Sequence, residues 1–413
     1  MNQLPKRKIC LVNPPYLRIL GSHNDRIPIE LCYLNTYLLN AGHESMVINA
    51  DYTGAKKYIK WSKLFDNFHF MSAAVNGQSA LFDETVERIM SLDPEIVVIS
   101  AADGITPWVD SGSAYVSAIL SDKLRNLGVH TIGVGPFYSK VPEKFIKNYD
   151  CILTGVASPT IIDAVEQKLK GIVKGKTMNL FDSPPITSVF PDVRDDVVMT
   201  AIGCPYSCSF CLAADSKYIQ LPINTVMADI ANRMSPLIDI GDAILPLSAQ
   251  RSEELCQSLS TLDKTYTCEI SVSSVNERNL DFLKRMGVIS LKLGIESGDD
   301  EQLKNMNKVQ TTKTILKAVD LIKKYSFRLN CYVLLGGPDA PVSSSDATLK
   351  LCREINANDY IINVWSFHNL ENRDFRYDSH FSQVLVEEWG LTDVMEQFFE
   401  LQKPEKFGLG QLL

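Results

Sequence analysis

The chain has 413 residues, 45% of them hydrophobic and 22% charged, an ordinary globular balance that excludes a disordered or fibrous chain. At roughly 100 to 200 residues per domain there is room for two or three domains. Lys and Arg number 41 against 49 Asp and Glu, and the resulting formal charge of −8 has the wrong sign for a protein that grips nucleic acid through its phosphates.

The apolar run behind the amino-terminal basic residues stops at Asn13-Pro14-Pro15, too short for a signal peptide. No later run approaches the ~18 residues of a membrane span, so the expected setting is the cytoplasm, with no membrane partner. Strand and helix patterns then alternate. Strands are expected at Lys8 to Val12, Glu44 to Ala50, Glu95 to Ala101, His130 to Val134 and Asp150 to Leu153. Helices are expected at Ile29 to Leu39 and over about 79–92, 113–127 and 159–169. Such alternation predicts an α/β domain over 1–170, a doubly wound parallel sheet covered on both faces. Its ligand loops would follow the strands, at Asn13 to Tyr16, Ala102 to Thr106, Gly133 to Ser139 and Thr154 to Ser158.

Residues 171–195, with Gly175 and Ser183-Pro184-Pro185, lack periodicity and read as a linker. Over 196–366 the alternation resumes, with strands expected at Val197 to Ile202, Ala243 to Leu247, Thr267 to Val272, Ile289 to Gly294, Arg328 to Leu335 and Tyr360 to Trp365. Six repeats predict a partial (β/α)6 barrel, since a full one needs eight. Residues 367–413 read as a short helical carboxyl-terminal segment.

Seven of ten cysteines are scattered singly and read as buried thiols: Cys10, Cys32, Cys151, Cys256, Cys268, Cys331 and Cys352. Cys204, Cys208 and Cys211 instead share one loop after a strand, where a barrel places its chemistry. Three thiolates so spaced can hold one metal centre and leave a coordination position free. A structural zinc would want a fourth Cys or His, and none follows within the next 40 residues.

This Cys-x3-Cys-x2-Cys spacing resembles the radical S-adenosylmethionine superfamily. The resemblance implies a 4Fe-4S cluster on Cys204, Cys208 and Cys211, with S-adenosylmethionine chelating the fourth iron and cleaved to a 5′-deoxyadenosyl radical. It implies that Phe210 lies near the adenine and that Glu296, in Leu293-Gly-Ile-Glu-Ser-Gly298, reaches the bound S-adenosylmethionine. It also implies that Gly336, in Leu334-Leu-Gly-Gly-Pro-Asp339, lets the adenosyl group approach the backbone. The polar motif that usually ends the second barrel strand is missing from Asp242 to Gln250, so Ser248, Gln250, Ser271 or Ser273 would have to hold the amino group.

The amino-terminal half resembles the cobalamin-binding domain fused to many such enzymes, through Leu11-Val-Asn-Pro-Pro-Tyr16, Ile29 to Leu34 and Gly133-Val-Gly-Pro-Phe137. Asn13, Gly133 and Gly135 would then line the cobalamin. The Asp-x-His-x-x-Gly signature is absent, neither His23 nor His43 having those neighbours, and no Glu follows Gly155 as it does in relatives. Together the resemblances imply a cobalamin-dependent radical methyltransferase that acts on an unactivated carbon of a small molecule or peptide. Its electron donor would be a flavodoxin or ferredoxin. A non-methylating cyclase or rearranging enzyme of the same architecture, or an iron-sulfur binding protein without S-adenosylmethionine chemistry, is the alternative.

Overall fold

A computed structural model describes residues 6–19, 26–52, 74–101, 111–157, 159–175, 183–191, 193–211, 213–214, 216–245, 248–336, 340–364 and 390–401. Within these, two six-stranded parallel sheets follow one another along the chain.

The first sheet comprises β1 (Lys8–Asn13), β2 (Glu44–Asn49), β3 (Ile96–Ser100), β4 (His130–Val134), β5 (Cys151–Thr154) and β6 (Gly171–Lys174), in the order β2-β1-β3-β4-β5-β6. Its central strands are unbroken apolar runs because both faces are covered. Cys10 and Val12 join Val97 and Ile99 in one core, while Ile9 and Leu11 join Ile96 and Val98 in another on the opposite face. Strand order reverses between β1 and β3, so the crevice for a ligand opens beyond Asn13 and Ala101. The expected loop at Ala102 to Thr106 falls outside the described residues, as does His23.

The linker expected at 171–195 begins instead with β6, which pairs with β5 over Cys151 to Thr154. Four residues, only alternately covered at a sheet edge, are too short a pattern to stand out in sequence.

The second sheet comprises β7 (Val197–Val198), β10 (Leu237–Ile240), β11 (Thr265–Ile270), β12 (Val288–Glu296), β13 (Arg328–Leu335) and β14 (Asp359–Val364), neighbours in chain order and all parallel. This is the open six-repeat barrel arrangement, with helices such as Ile223–Ala231, Glu277–Met286 and Thr312–Lys324 between strands. Its second strand lies at Leu237–Ile240 rather than at the expected Ala243 to Leu247. Asp239 breaks the apolar run there, yet it is buried, its charge met by Lys292 at 2.6 and 2.7 Å. The expected strand Val197 to Ile202 is split into β7 and β8 (Ala201–Ile202). At the break, buried Asp242 accepts from the backbone N–H of Thr200 at 2.7 Å and of Ala201 at 3.0 Å.

The two sheets share packing. Ile27, Ile29, Cys32 and Tyr33 belong to the same apolar cluster as the second sheet's strands, and Ile186 N–H donates to Thr36 Oγ1 at 2.9 Å. Of the carboxyl-terminal segment, the helix Thr392–Leu401 is described, and Val394, Met395 and Phe398 enter that cluster. Among the described residues no helix is long and apolar enough to cross a membrane.

Candidate active site at the cysteine loop

The cysteine loop hangs from a small antiparallel ribbon in which β8 pairs with β9 (Ile219–Gln220), Ala201 opposite Gln220 and Ile202 opposite Ile219. Gly203 turns out of the ribbon with φ +80°, and a Cβ there would stand 2.2 Å from the Lys217 carbonyl, so only glycine permits this entry. Cys204 N–H donates to Ser216 Oγ at 2.9 Å, and Cys211 N–H to the Cys208 carbonyl at 3.1 Å. A second segment clamps the loop from outside. Ser209 N–H donates to the Met306 carbonyl at 3.1 Å, Ser209 Oγ to the Asn305 carbonyl at 3.2 Å, and Asn307 Nδ2 to Ser207 O and Oγ at 2.8 and 3.0 Å.

Burial raises the Cys208 thiol above its ordinary pKa, with Glu296 and Cys204 adding to the rise and Lys308 opposing it. Burial likewise lifts Cys211 to about 11. Such thiols need a cation to ionise, and metal ligation supplies one. Among the described residues no three His, Cys, Asp or Glu side chains gather as they would around a single ion. All seven scattered cysteines are buried, and burial pushes Cys10 and Cys352 up to about 12, as inert core thiols should be.

Glu296 ends β12 and is buried, with φ +58°. The register against β13 slips between Gly294 and Glu296, an extra residue that re-aims the strand end. Gln310 Nε2 secures this bulge by donating to the Gly294 and Ile295 carbonyls at 3.1 and 3.0 Å. The Glu296 carboxylate meets Lys308 Nζ at 2.8 Å, and Lys308 in turn lies 5.6 Å from the centre of the Phe210 ring. Burial lowers the Lys308 pKa, but Glu296 and then Cys208 outweigh it and hold the ammonium above the ordinary lysine range. Phe210 packs on Met306 and Leu334, two residues before Gly336, which has φ +76°.

The fold therefore gathers Cys204, Cys208, Cys211, Phe210 and Glu296 at one end of the second sheet, and Gly336 at the end of the adjoining strand. Lys308 was not legible as a site residue. Its signal was the pair of lysines and pair of asparagines in Lys304-Asn-Met-Asn-Lys308, a few residues beyond the Glu-Ser-Gly strand end. Ser273 reaches the loop through Tyr206, their hydroxyls 3.5 Å apart, and bonds Ser271 at 2.9 Å. Ser248 is occupied as a helix cap, accepting from Arg251 N–H at 3.2 Å.

In the first sheet, Asn13 Nδ2 donates to Asn49 Oδ1 at 2.9 Å across the ends of β1 and β2. Asn49 Nδ2 is buried there without a partner among the described residues. Gly135 has φ +126°, so a leucine would strain the backbone whatever it met. Gly133 is bare for a local reason, since a Cβ would sit 3.2 Å from the Tyr138 and Tyr149 rings. His43, which lacks the cobalt-ligand signature, is buried at the other end of β2. There Nδ1 accepts from Arg7 N–H at 3.3 Å and Nε2 faces Glu166 at 3.5 Å. The loop after β4 meets the cysteine loop's return, Lys140 Nζ donating to the Ala214 carbonyl at 3.4 Å.

Residues 198–352 match the Radical SAM superfamily. Over 314 residues the chain is 24% identical to the uncharacterized methyltransferase PH0819 of Pyrococcus horikoshii, covering 66% of this chain and 67% of that protein. The fold is similar to the radical S-adenosylmethionine methyltransferase TsrM of Kitasatospora setae, solved with cobalamin and a 4Fe-4S cluster. The TM-score is 0.61 at 14% identity, over 87% of this chain and 75% of that one. It is also similar to the cobalamin-dependent S-adenosylmethionine radical enzyme OxsB, solved with aqua-cobalamin and S-adenosylmethionine. There the TM-score is 0.62 at 16% identity, over 97% of this chain but 57% of that one.

Proposed function

With residues 198–352 forming a radical S-adenosylmethionine domain behind a parallel sheet of the architecture seen in TsrM and OxsB, we propose that this enzyme is a cobalamin-dependent methyltransferase acting on an unactivated substrate carbon. The observation that carries the reading is the convergence of the cysteine loop, Phe210, Glu296 and Lys308 on one strand end, beside a loop of the first sheet.

In this reading Cys204, Cys208 and Cys211 hold the cluster, and the Asn305–Lys308 segment keeps their loop in place through Ser207 and Ser209. Lys308 offers an ammonium to the carboxylate of S-adenosylmethionine, while Glu296 accepts from its amino group. Phe210 lies against the adenine, and Gly336 keeps the next strand end bare. Asn13 and Asn49 present amide donors at the crevice of the first sheet, on the side where Lys140 touches the cysteine loop's return. When bound, the cluster and S-adenosylmethionine supply the radical that takes hydrogen from the substrate, and cobalamin supplies the methyl group. The protein's part is orientation and the exclusion of water. A small-molecule or peptide substrate, a flavodoxin-type or ferredoxin-type reductant and a cytoplasmic setting belong to the same proposal.

The test is anaerobic purification with cobalamin supplied. Iron near four per chain and a corrinoid band retained through desalting are expected, followed by 5′-deoxyadenosine on reduction with S-adenosylmethionine. No 5′-deoxyadenosine from iron-replete protein would defeat the radical assignment. Cluster and cleavage without retained corrinoid would favour the non-methylating radical enzyme.

A further inference from the structure

One segment serves both halves of the candidate site. Between the helices Asp300–Asn305 and Thr312–Lys324, the Met306 carbonyl and Asn307 Nδ2 hold Ser209 and Ser207 of the cysteine loop. One residue further on, Lys308 meets Glu296, and two beyond that Gln310 reaches the Gly294 and Ile295 carbonyls. The segment has little slack. Lys308 N–H donates to the Leu303 carbonyl and Gln310 N–H to the Lys308 carbonyl, each at 2.9 Å, and Asn307 turns the chain at φ +55°.

What Gln310 grips is the most constrained part of β12. The Ile295 carbonyl also accepts from Ser297 N–H at 2.8 Å, which closes a three-residue turn around Glu296. With Glu296 at φ +58°, this is the rare, strained form of that turn. Such a bend persists only where its surroundings over-determine it. The half-buried Gln310 amide, donating to two successive carbonyls, is one such constraint. Lys308 supplies the charge that keeps a glutamate at the bend, and Gln310 fixes where the bend lies.

The carboxylate then lies back over Gly294. A Cβ at that position would stand 2.5 Å from Glu296 Oε1 and 3.0 Å from Lys308 Nζ, and its three nearest neighbours are all side-chain atoms of this pair. Gly294 has an ordinary strand backbone, so its bareness answers to the ion pair laid across it and not to a turn.

We propose that Gln310 is a positioning residue of the S-adenosylmethionine site. By fixing the Gly294–Ile295 bulge it sets the Glu296 carboxylate over the bare face of Gly294, in a fixed place relative to the cysteine loop. Its effect on the ligand is exerted through Glu296. The inference rests on the radical-enzyme reading for its ligand, but it is testable without turnover.

The experiment measures S-adenosylmethionine binding to the cluster-loaded full chain by anaerobic equilibrium dialysis, with iron content and melting temperature recorded for each variant. Gln310→Met keeps the length of the side chain and removes its donors. It should bind S-adenosylmethionine about tenfold more weakly with iron content unchanged, the loss expected when neutral hydrogen bonds go. Gly294→Ala places a methyl group where the carboxylate lies and displaces only side-chain ends. It should weaken binding by a similar factor, with a melting temperature near wild type. The deciding arm is the Glu296→Gln background, in which Gln310→Met should cost less than about a further twofold, because residues acting as one unit are not additive. A glutamine that merely braced the fold would not lose its effect there. Wild-type affinity in Gln310→Met or in Gly294→Ala, or a further loss of about tenfold in the Glu296→Gln background, overturns the positioning role while leaving the radical-enzyme reading intact. Failure of wild type to bind S-adenosylmethionine at all would overturn that reading, and this inference with it.

Discussion

In the first sheet, Ile96 to Ile99 are sealed from water on both faces, whereas β12 of the second seals Leu291 and Leu293 under the helices and turns Ser290 and Lys292 inward. A sheet packed on both sides can meet a ligand only beyond its strand ends, and whatever binds there touches loops. A sheet bent into a partial barrel keeps one face free for polar side chains that rigid strands position. In the proposed reading the chemistry accordingly concentrates in the second sheet, and the first offers a platform on which Asn13 and Asn49 are the last residues of their strands.

The sharpest way to break this contrast is at the cysteine loop. Replacing Cys204, Cys208 and Cys211 by Ala should abolish iron binding and 5′-deoxyadenosine formation, while circular dichroism and the melting temperature stay near wild type. Cys352→Ala, in the core, should leave the iron content unchanged and lower stability instead. If the triple variant kept its iron, the chemistry would not reside on this loop.

Next in size is the strand-end pair. Glu296→Gln should retain the cluster and bind S-adenosylmethionine about 10- to 100-fold more weakly, as expected for a lost charge-assisted hydrogen bond. Lys308→Met should do the same and also leave Glu296 buried without its cation. A dissociation constant unmoved in both, by equilibrium dialysis under anaerobic conditions, would return the pair to a structural ion pair.

A smaller effect is expected in the first sheet. Asn13→Ala removes one amide donor at the crevice and the bond to Asn49, so corrinoid retained after desalting should fall severalfold with no change in iron. Retention as in wild type would shift the contact to other loops.

The smallest effect concerns the polar joint that splits β7 from β8. Burial raises Asp242 from 3.8 to about 6, against its hydrogen bonds from Thr200 and Ala201. A raised carboxyl contributes stability that is complete below its unfolded pKa and is lost as pH rises through the folded one. Wild type should therefore lose stability between about pH 4 and 6 relative to Asp242→Asn, whose amide can serve the same partners without ionising. At roughly 2 to 4 °C per kcal/mol, the widening gap in melting temperature should be measurable. A constant gap across that range would mean that Asp242 does not titrate there.

The same contrast explains what the sequence disclosed. Two-faced strands such as Ile96–Ser100 announce themselves as apolar runs, and Cys204, Cys208 and Cys211 lie close enough together to be read by spacing. Strand β10 was misplaced because Asp239 looks like a breaker until its partner Lys292, 53 residues away, is known. Lys308 and Gln310 escaped for the same reason, as each depends on contacts between elements that no local pattern encodes. Ser248 invited a role beyond capping, and the structure gives it the simpler one.

Glu296 keeps a bulky, branchless side chain at φ +58°, where glycine would rest more easily. Holding such a residue in the left-handed region costs on the order of 1 kcal/mol. Glu296→Gly would relieve that strain but leave Lys308, largely buried, without its counter-charge, a larger cost, so the ion pair is what holds the strained bend in place.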